Sequence, residues 1–277
     1  MDSYSCDGLS LDVTDTGPES GRTVIALHGF PADRHCWDGV AAHLTANGYR
    51  VLAPDQRGYS PSARPAERAR YARARLVDDV LALADAAGRE RFDLIGHDWG
   101  GVVAWDLAAH HPGRVRSLAV LSTPHPAAFR SALFSGGQLL RSWYMAAFCI
   151  PRLPEAIFRW AGPERVAAGL TRDGVDPASA LRYAERVTRP GAMTGPLNWY
   201  RALPHDLSRP VPKVEVPVLY LWGDHDRYLA RAAAEATSRW VRGPYRFEVL
   251  EGAGHWLPEV EAQRLAAPLL AHLDGAR

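Results

Sequence analysis

The chain has 277 residues, 47% of them apolar and 23% charged, with a formal net charge of +1 at pH 7. That length suits one large domain or a domain carrying an insertion, and the near-neutral balance argues against a dedicated nucleic-acid surface. No apolar run is long enough to span a bilayer, and the polar, acidic start lacks the basic region and apolar stretch of a signal peptide, so a cytoplasmic protein without membrane contact is expected. The cysteines Cys6, Cys36 and Cys149 have no metal-ligand spacing and are expected as free thiols.

Residues 9–13 alternate apolar and polar and predict an edge strand, closed by Thr16-Gly17-Pro18. Residues 23–27 are a continuous apolar run of the kind buried in a parallel sheet. The run leads straight into His28-Gly29-Phe30-Pro31, at the carboxyl end of a strand, where ligands bind in open α/β sheets. Gly29 lets the backbone turn so that Phe30 N–H points into the cleft as an oxyanion donor. His28 is expected to hold this loop by hydrogen bonds rather than to act in catalysis. Helical spacing from Trp37 through Val40 to Leu44 stops at Asn47-Gly48. Residues 50–53 predict the next buried strand, and in the loop that follows Asp55 and Arg57 read as an internal ion pair. The arginine-rich residues 64–75 read as a solvated connection and helix face, before Leu76, Val80, Leu83 and Ala87 follow the helical period to Gly88.

The run Phe92-Asp93-Leu94-Ile95 then ends abruptly in Gly96-His97-Asp98-Trp99-Gly100-Gly101, with a helical pattern from Val102 to His110. Strand, sharp turn and helix around Gly-x-Asp-x-Gly make a nucleophile elbow. Such a turn needs small residues two before and two after the nucleophile, and Gly96 and Gly100 supply them. Asp98 stands where an esterase carries serine, and Trp99 N–H is the second expected oxyanion donor.

Residues 115–121 predict a further buried strand, after which the alternation of strand and helix stops. To about Pro210 the chain is aromatic, proline-rich and helical in period, which reads as a cap inserted over an active site. The expected division is a core of residues 1–123 and 211–277 with a cap of residues 124–210. Residues 216–222 restore the strand pattern and lead to Gly223-Asp224-His225-Asp226. A helix over residues 231–241 and a strand over 246–250 lead to Gly252-Ala253-Gly254-His255-Trp256, and a last helix runs over residues 258–273. Asp226, at the far end of its loop, is preferred to Asp224 as the partner of His255.

A carboxylate nucleophile changes which substrates make sense. It is already ionised at neutral pH and attacks an electrophilic sp³ carbon directly, giving an alkyl ester of Asp98. His255, supported by Asp226, then activates water against the ester carbonyl while Phe30 and Trp99 N–H hold the oxyanion. No metal or organic cofactor is required.

Nucleophile, acid and histidine in this chain order, with His28-Gly29-Phe30-Pro31, Gly96-His97-Asp98-Trp99-Gly100-Gly101, Trp222-Gly223-x-x-Asp226 and Gly254-His255-Trp256, resemble the epoxide hydrolases of the α/β-hydrolase superfamily over nearly the whole chain. The resemblance implies the α/β-hydrolase fold: a mostly parallel central sheet with helices on both faces and an inserted helical cap. It also implies a cis Phe30-Pro31 bond and two cap tyrosines that donate hydrogen bonds to the epoxide oxygen. Those tyrosines match Tyr144, in Ser142-Trp143-Tyr144-Met145, and Tyr200, in Pro196-Leu197-Asn198-Trp199-Tyr200-Arg201, with Tyr183 as an outside alternative to Tyr144. Opening an epoxide leaves an alkoxide, and phenolic donors stabilise or protonate it. The implied reaction converts an apolar or aromatic epoxide to a vicinal diol, with epoxide and water as partners and a homodimer left open. His28, Pro31, Trp143, Phe148, Trp199 and Trp256 complete the expected substrate-binding set.

Rival readings use the same scaffold. Haloalkane and haloacid dehalogenases share the carboxylate chemistry, but haloalkane dehalogenases usually carry Asn or Glu where Phe30 stands, and fluoroacetate dehalogenases carry arginine where Trp99 stands. No serine occupies Gly-x-Ser-x-Gly, which disfavours an esterase. A non-catalytic binding protein can keep an intact triad, and ester formation in a single turnover separates it from an enzyme.

Overall fold

The apolar runs of the sequence line up as the centre of one eight-stranded sheet. The computed structural model of the chain describes residues 1–133 and 137–276. Strands β1 (Ser3–Cys6) and β2 (Leu9–Thr16) pair antiparallel at one edge, and β2 pairs antiparallel with β4 (Tyr49–Pro54). The others run parallel: β3 (Arg22–Leu27), β5 (Phe92–His97), β6 (Val115–Leu121), β7 (Val218–Gly223) and β8 (Tyr245–Leu250), in the order β1-β2-β4-β3-β5-β6-β7-β8. The predicted first strand is therefore not the edge. The edge is β1, a four-residue strand too short to show a pattern.

Side chains alternate across the central strands, and both faces are covered. Val24 and Ala26 pack with α1 (Asp38–Ala46), whereas Ile25 and Leu27 pack with α2 (Arg73–Ala86) and α3 (Trp99–His110). This is why strands such as β7 are apolar at successive positions rather than at every second one. Burying each leucine or isoleucine here stabilises the fold by roughly 1.5–3 kcal/mol relative to leaving it in water.

Between β6 and β7 the described residues form helices and no strand: α4 (Pro126–Ala132), α5 (Gln138–Arg141), α6 (Trp143–Cys149), α7 (Leu153–Arg172), α8 (Pro177–Thr188) and α9 (Thr194–Arg201). Local chemistry sets several of their ends. Asp176 accepts the N–H groups of Ala178 and Ser179 and Pro177 opens α8, while α7 bends at Gly162 (φ 73°) ahead of Pro163. After β7 come α10 (Arg231–Ala236), α11 (Leu257–Val260) and α12 (Ala262–Gly275). The single last helix expected from the sequence is thus two, parted at Glu261, and α12 covers the same sheet face as α1. Helix α4 packs against α10, with His125 N–H donating to Thr237 Oγ1 and the His125 ring stacked on Trp240.

Two charge readings need correction. Asp55 and Arg57 do not pair with each other: Arg57 makes a bidentate bond to Asp79 at 2.8 and 2.7 Å, and Asp55 pairs with Arg34 and Arg186. The arginines over residues 64–75 are not all solvated either. Arg73 is buried against Asp106 and Asp206, and Arg64 donates to the carbonyls of Gly58 and Tyr59. Arg186, on α8, ties the helical segment to the sheet through Asp55 at 2.8 Å and Asp33 at 3.3 Å.

Candidate active site

Asp98 occupies the turn between β5 and α3 with φ 49° and ψ −123°, a conformation that costs an ordinary residue about 1–3 kcal/mol. Its surroundings hold it there. Thr123 Oγ1, just past β6, donates to Asp98 O at 2.8 Å. A Cβ on Gly100 would fall 2.2 Å from Leu27 O, so only glycine lets α3 come this close to β3. One on Gly29 would fall 2.3 Å from Asp98 Cβ, inside the space the carboxylate needs.

The two carboxylate oxygens have different partners. Phe30 N–H donates to Oδ1 at 2.8 Å, from a loop that contains a cis Phe30-Pro31 bond, as the resemblance implies. Oδ2 lies 3.6 Å from His255 Nε2. Trp99 is the first residue of α3, so its N–H has no acceptor within the helix. On the other side of the imidazole, Nδ1–H donates to Asp226 Oδ2 at 2.8 Å, and Asp226 Oδ1 accepts Tyr228 N–H and Leu229 N–H. Asp224 is engaged elsewhere, its Oδ1 accepting Gly252 N–H at 2.7 Å.

Charge states follow from this arrangement. Burial works against a protonated His255, but Asp226 and Asp98 outweigh it and hold the imidazole pKa well above the ordinary value. Burial alone would raise the Asp98 pKa; His255 and the Phe30 N–H bond hold it below the usual carboxylate value. His97, next to Asp98, is driven down to about 4, chiefly by burial and then by the His255 charge. It stays neutral, and its Nε2–H donates to His255 O at 2.9 Å, beside the Ser122 hydroxyl that donates to the same carbonyl. These groups fix His255 from its backbone side.

A two-lobed cavity meets Asp98. One lobe, of about 570 Å³, is lined by Phe30, Pro31, Trp143, Phe148, Phe158 and Trp256 together with Asp98 and His255. The other, of about 320 Å³, runs between Val102, Phe129, Leu133, Met145, Leu203 and Leu229. Asp98, Tyr144 and Tyr200 border both lobes. Tyr144 comes from α6 and Tyr200 from α9, with ring centroids 6.3 Å apart, and Tyr200 packs edge-on against Phe30 and Trp99. Burial, reinforced by the Asp98 charge, pushes both phenol pKa values up, so both stay protonated as donors.

Most of the residues expected from the sequence meet in this place, but two of the expected substrate-binding residues do not line it. His28 is fully buried under the loop, where Nε2 accepts Gln56 N–H and Nδ1 lies 3.0 Å from Gly29 O, the bracing role expected of it. Trp199 is buried behind Tyr200, its indole N–H donating to Arg57 O at 2.8 Å. Tyr183, the alternative donor, is buried away from the cavity and donates to Glu259 Oε1. Sequence reasoning missed His97, Ser122, Thr123 and Tyr228, whose roles depend on contacts far along the chain. Among the described residues, no group of three or more His, Cys, Asp or Glu side chains is arranged to hold a metal ion, and no helix is long and apolar enough to cross a membrane.

The family model for the alpha/beta hydrolase fold matches residues 22–262. The chain belongs to the α/β-hydrolase family. It is 36% identical to the AB hydrolase superfamily protein YfhM of Bacillus subtilis over 93% of each chain. It is 31% identical to epoxide hydrolase A of Mycobacterium tuberculosis, over 97% of this chain and 95% of that one. Among solved structures, epoxide hydrolase A of Mycobacterium thermoresistibile superposes with a TM-score of 0.86 at 28% identity, over 99% of this chain and 97% of that one. The resemblance read from the motifs is thereby borne out for this member of the α/β-hydrolase family.

Proposed function

We propose that this α/β-hydrolase opens an apolar epoxide to a vicinal diol through an ester on Asp98. The observation that carries the reading is the convergence of an ionised carboxylate and two protonated tyrosines on one apolar cavity. A carboxylate attacking sp³ carbon needs a leaving group, and an epoxide's leaving oxygen needs proton donors on the side away from the nucleophile. The epoxide hydrolases among the relatives support the same reading. Helices α5 to α9 serve as the cap that supplies the tyrosines and closes the cavity over Asp98.

In the first step Asp98 Oδ2 attacks an epoxide carbon, the carbon–oxygen bond of the ring breaks, and the alkoxide takes a proton from Tyr144 or Tyr200. Oδ1, already bonded to Phe30 N–H, becomes the carbonyl oxygen of the ester. Ester formation also removes the Asp98 charge that helped to hold a proton on His255. The imidazole pKa falls, His255 passes its proton by way of water to the tyrosinate left by the first step, and the neutral ring turns into a base at the stage that needs one. It takes a proton from water, hydroxide adds to the Asp98 carbonyl carbon, and charge gathers on Oδ1 in front of Phe30 and Trp99 N–H. Collapse of this intermediate breaks the bond to the diol oxygen, which takes the proton of the added hydroxyl, so the diol departs, Asp98 is left as a carboxylate and His255 keeps the proton it took from water.

The tyrosines give the direct test. Tyr144→Phe and Tyr200→Phe should each slow ester formation from an epoxide by roughly 10²-fold, the usual scale of one general acid or oxyanion donor. Stopped-flow measurement of Trp fluorescence under single-turnover conditions reads that step. Unchanged rates in both variants, with full turnover of an alkyl halide, would move the protein to the dehalogenases.

A further inference from the structure

One carboxylate of the helical segment reaches both loops that carry the acid and the base. Asp173, at the carboxyl end of α7, accepts Tyr228 Oη–H at 2.6 Å and Trp256 Nε1–H at 3.0 Å, both on Oδ2. Tyr228 lies two residues after Asp226, and its ring meets the His255 ring edge-on at 4.9 Å. Trp256 directly follows His255, and its ring meets the imidazole edge-on at 5.4 Å. The two rings flank the base, and a single oxygen holds both.

Asp173 is itself well anchored. Its backbone N–H donates to Gly169 O and Leu170 O, its side chain is largely buried, and Oδ1 lies 3.7 Å from Arg227 Nη1. Tyr228 is held from its other end as well, by its N–H on Asp226 Oδ1 at 2.8 Å. Hydrogen bonds to an ionised acceptor are about twice as strong as neutral ones. An aromatic flank alone leaves an imidazole free to rock; aromatic flanks whose polar ends share a fixed carboxylate do not.

We propose that Asp173 is a positioning residue for ester hydrolysis, coupling the helical segment to the angle at which His255 meets the attacking water. The inference rests on the reading of Asp98 and His255 given above. Alkylation of Asp98 depends on the carboxylate and the tyrosines, and the orientation of His255 matters only in the second step. Asp173, Tyr228 and Trp256 also border the larger lobe of the cavity, so loss of Asp173 falls more heavily on the second half-reaction than on the first. In a two-step scheme whose first step is not reversed, kcat/KM reports ester formation alone, while kcat also contains hydrolysis, so a change confined to hydrolysis lowers kcat and KM together.

The experiment is single-turnover and steady-state kinetics of Asp173→Ala, Asp173→Asn and Tyr228→Phe with styrene oxide, with intact-mass detection of the ester. Misplacing a reacting group by about 1 Å costs up to roughly 10²-fold. Asp173→Ala should slow ester hydrolysis roughly 10- to 100-fold, lower kcat/KM by a much smaller factor, and let the ester accumulate. Asp173→Asn keeps an acceptor oxygen and should recover most of the rate; Tyr228→Phe keeps the ring, loses one bond and should fall between them. Equal losses in kcat and kcat/KM would show a general packing role and overturn the proposal, as would an unchanged hydrolysis rate. If Asp173→Ala does not fold, the other two variants decide the matter in the same way. Failure of the underlying reading shows separately, as absence of any ester when His255 rather than Asp173 is replaced, and that result overturns the positioning role too.

Discussion

Asp98→Ala should lose epoxide turnover by on the order of 10⁶-fold, the scale on which removal of a covalent nucleophile reduces a hydrolase to its residual binding effects. No neighbouring group can replace it. The other carboxylate beside His255, Asp226, is turned away, with Oδ2 on His255 Nδ1 and Oδ1 on two backbone N–H groups. The substitution leaves the elbow intact, because the glycines and the Thr123 bond to the backbone carbonyl of residue 98 remain. Circular dichroism and the thermal midpoint should therefore stay close to the parent's, while product formation falls to that residual level. Retention of more than about 1% of the parent kcat/KM by this variant, set against that 10⁶-fold expectation, is incompatible with a covalent route through Asp98.

Asp226→Ala should be the second most damaging change and should act on hydrolysis of the ester. Removing the acid that orients a catalytic histidine costs about 10⁴-fold. Asp224→Ala should cost little in activity, because its carboxylate braces Gly252 and does not reach the imidazole. The pH dependence carries a sign. Burial lowers the His255 pKa and Asp226 raises it, so the acid limb of the hydrolysis rate sits at higher pH with Asp226 than without it. The residual activity of Asp226→Ala should therefore reach its plateau at lower pH than that of the parent. Single-turnover decay of the ester, followed from pH 5 to 9, reads both effects, and a larger loss at Asp224 would reverse the assignment.

What could be read from the sequence was what local spacing controls. Gly96, Asp98 and Gly100 announce a turn because strand and helix must nearly touch, and that constraint is written within five residues. His255 was visible for the same reason, lying in a short turn after a strand. Asp226 and Asp224 are two residues apart in one loop, and pattern could only favour one; the direction of each side chain decided it. Trp199 illustrates the opposite failure. It adjoins Tyr200 in an aromatic motif and reads as cavity wall, yet a helix turns consecutive residues about 100° apart, and its indole N–H finds the carbonyl of Arg57 instead. Arg57 and Asp79 are separated by 22 positions, and Asp173 meets Trp256 across 83, so neither contact leaves a local signature. The fold class was legible because parallel strands buried on both faces must be continuously apolar. The supports of the site were not, because they join segments that only the folded chain brings together.

A covalent ester on Asp98 that His255 releases is tested most directly by the intact mass of His255→Gln after incubation with styrene oxide and, separately, with 1-bromobutane. The expected result is a stable gain equal to the whole epoxide, localised to Asp98 by peptide mapping, and no gain when Asp98→Ala is combined with it. A folded His255→Gln protein that gains only the butyl group from the halide, or gains nothing from a panel of epoxides, would contradict the covalent route.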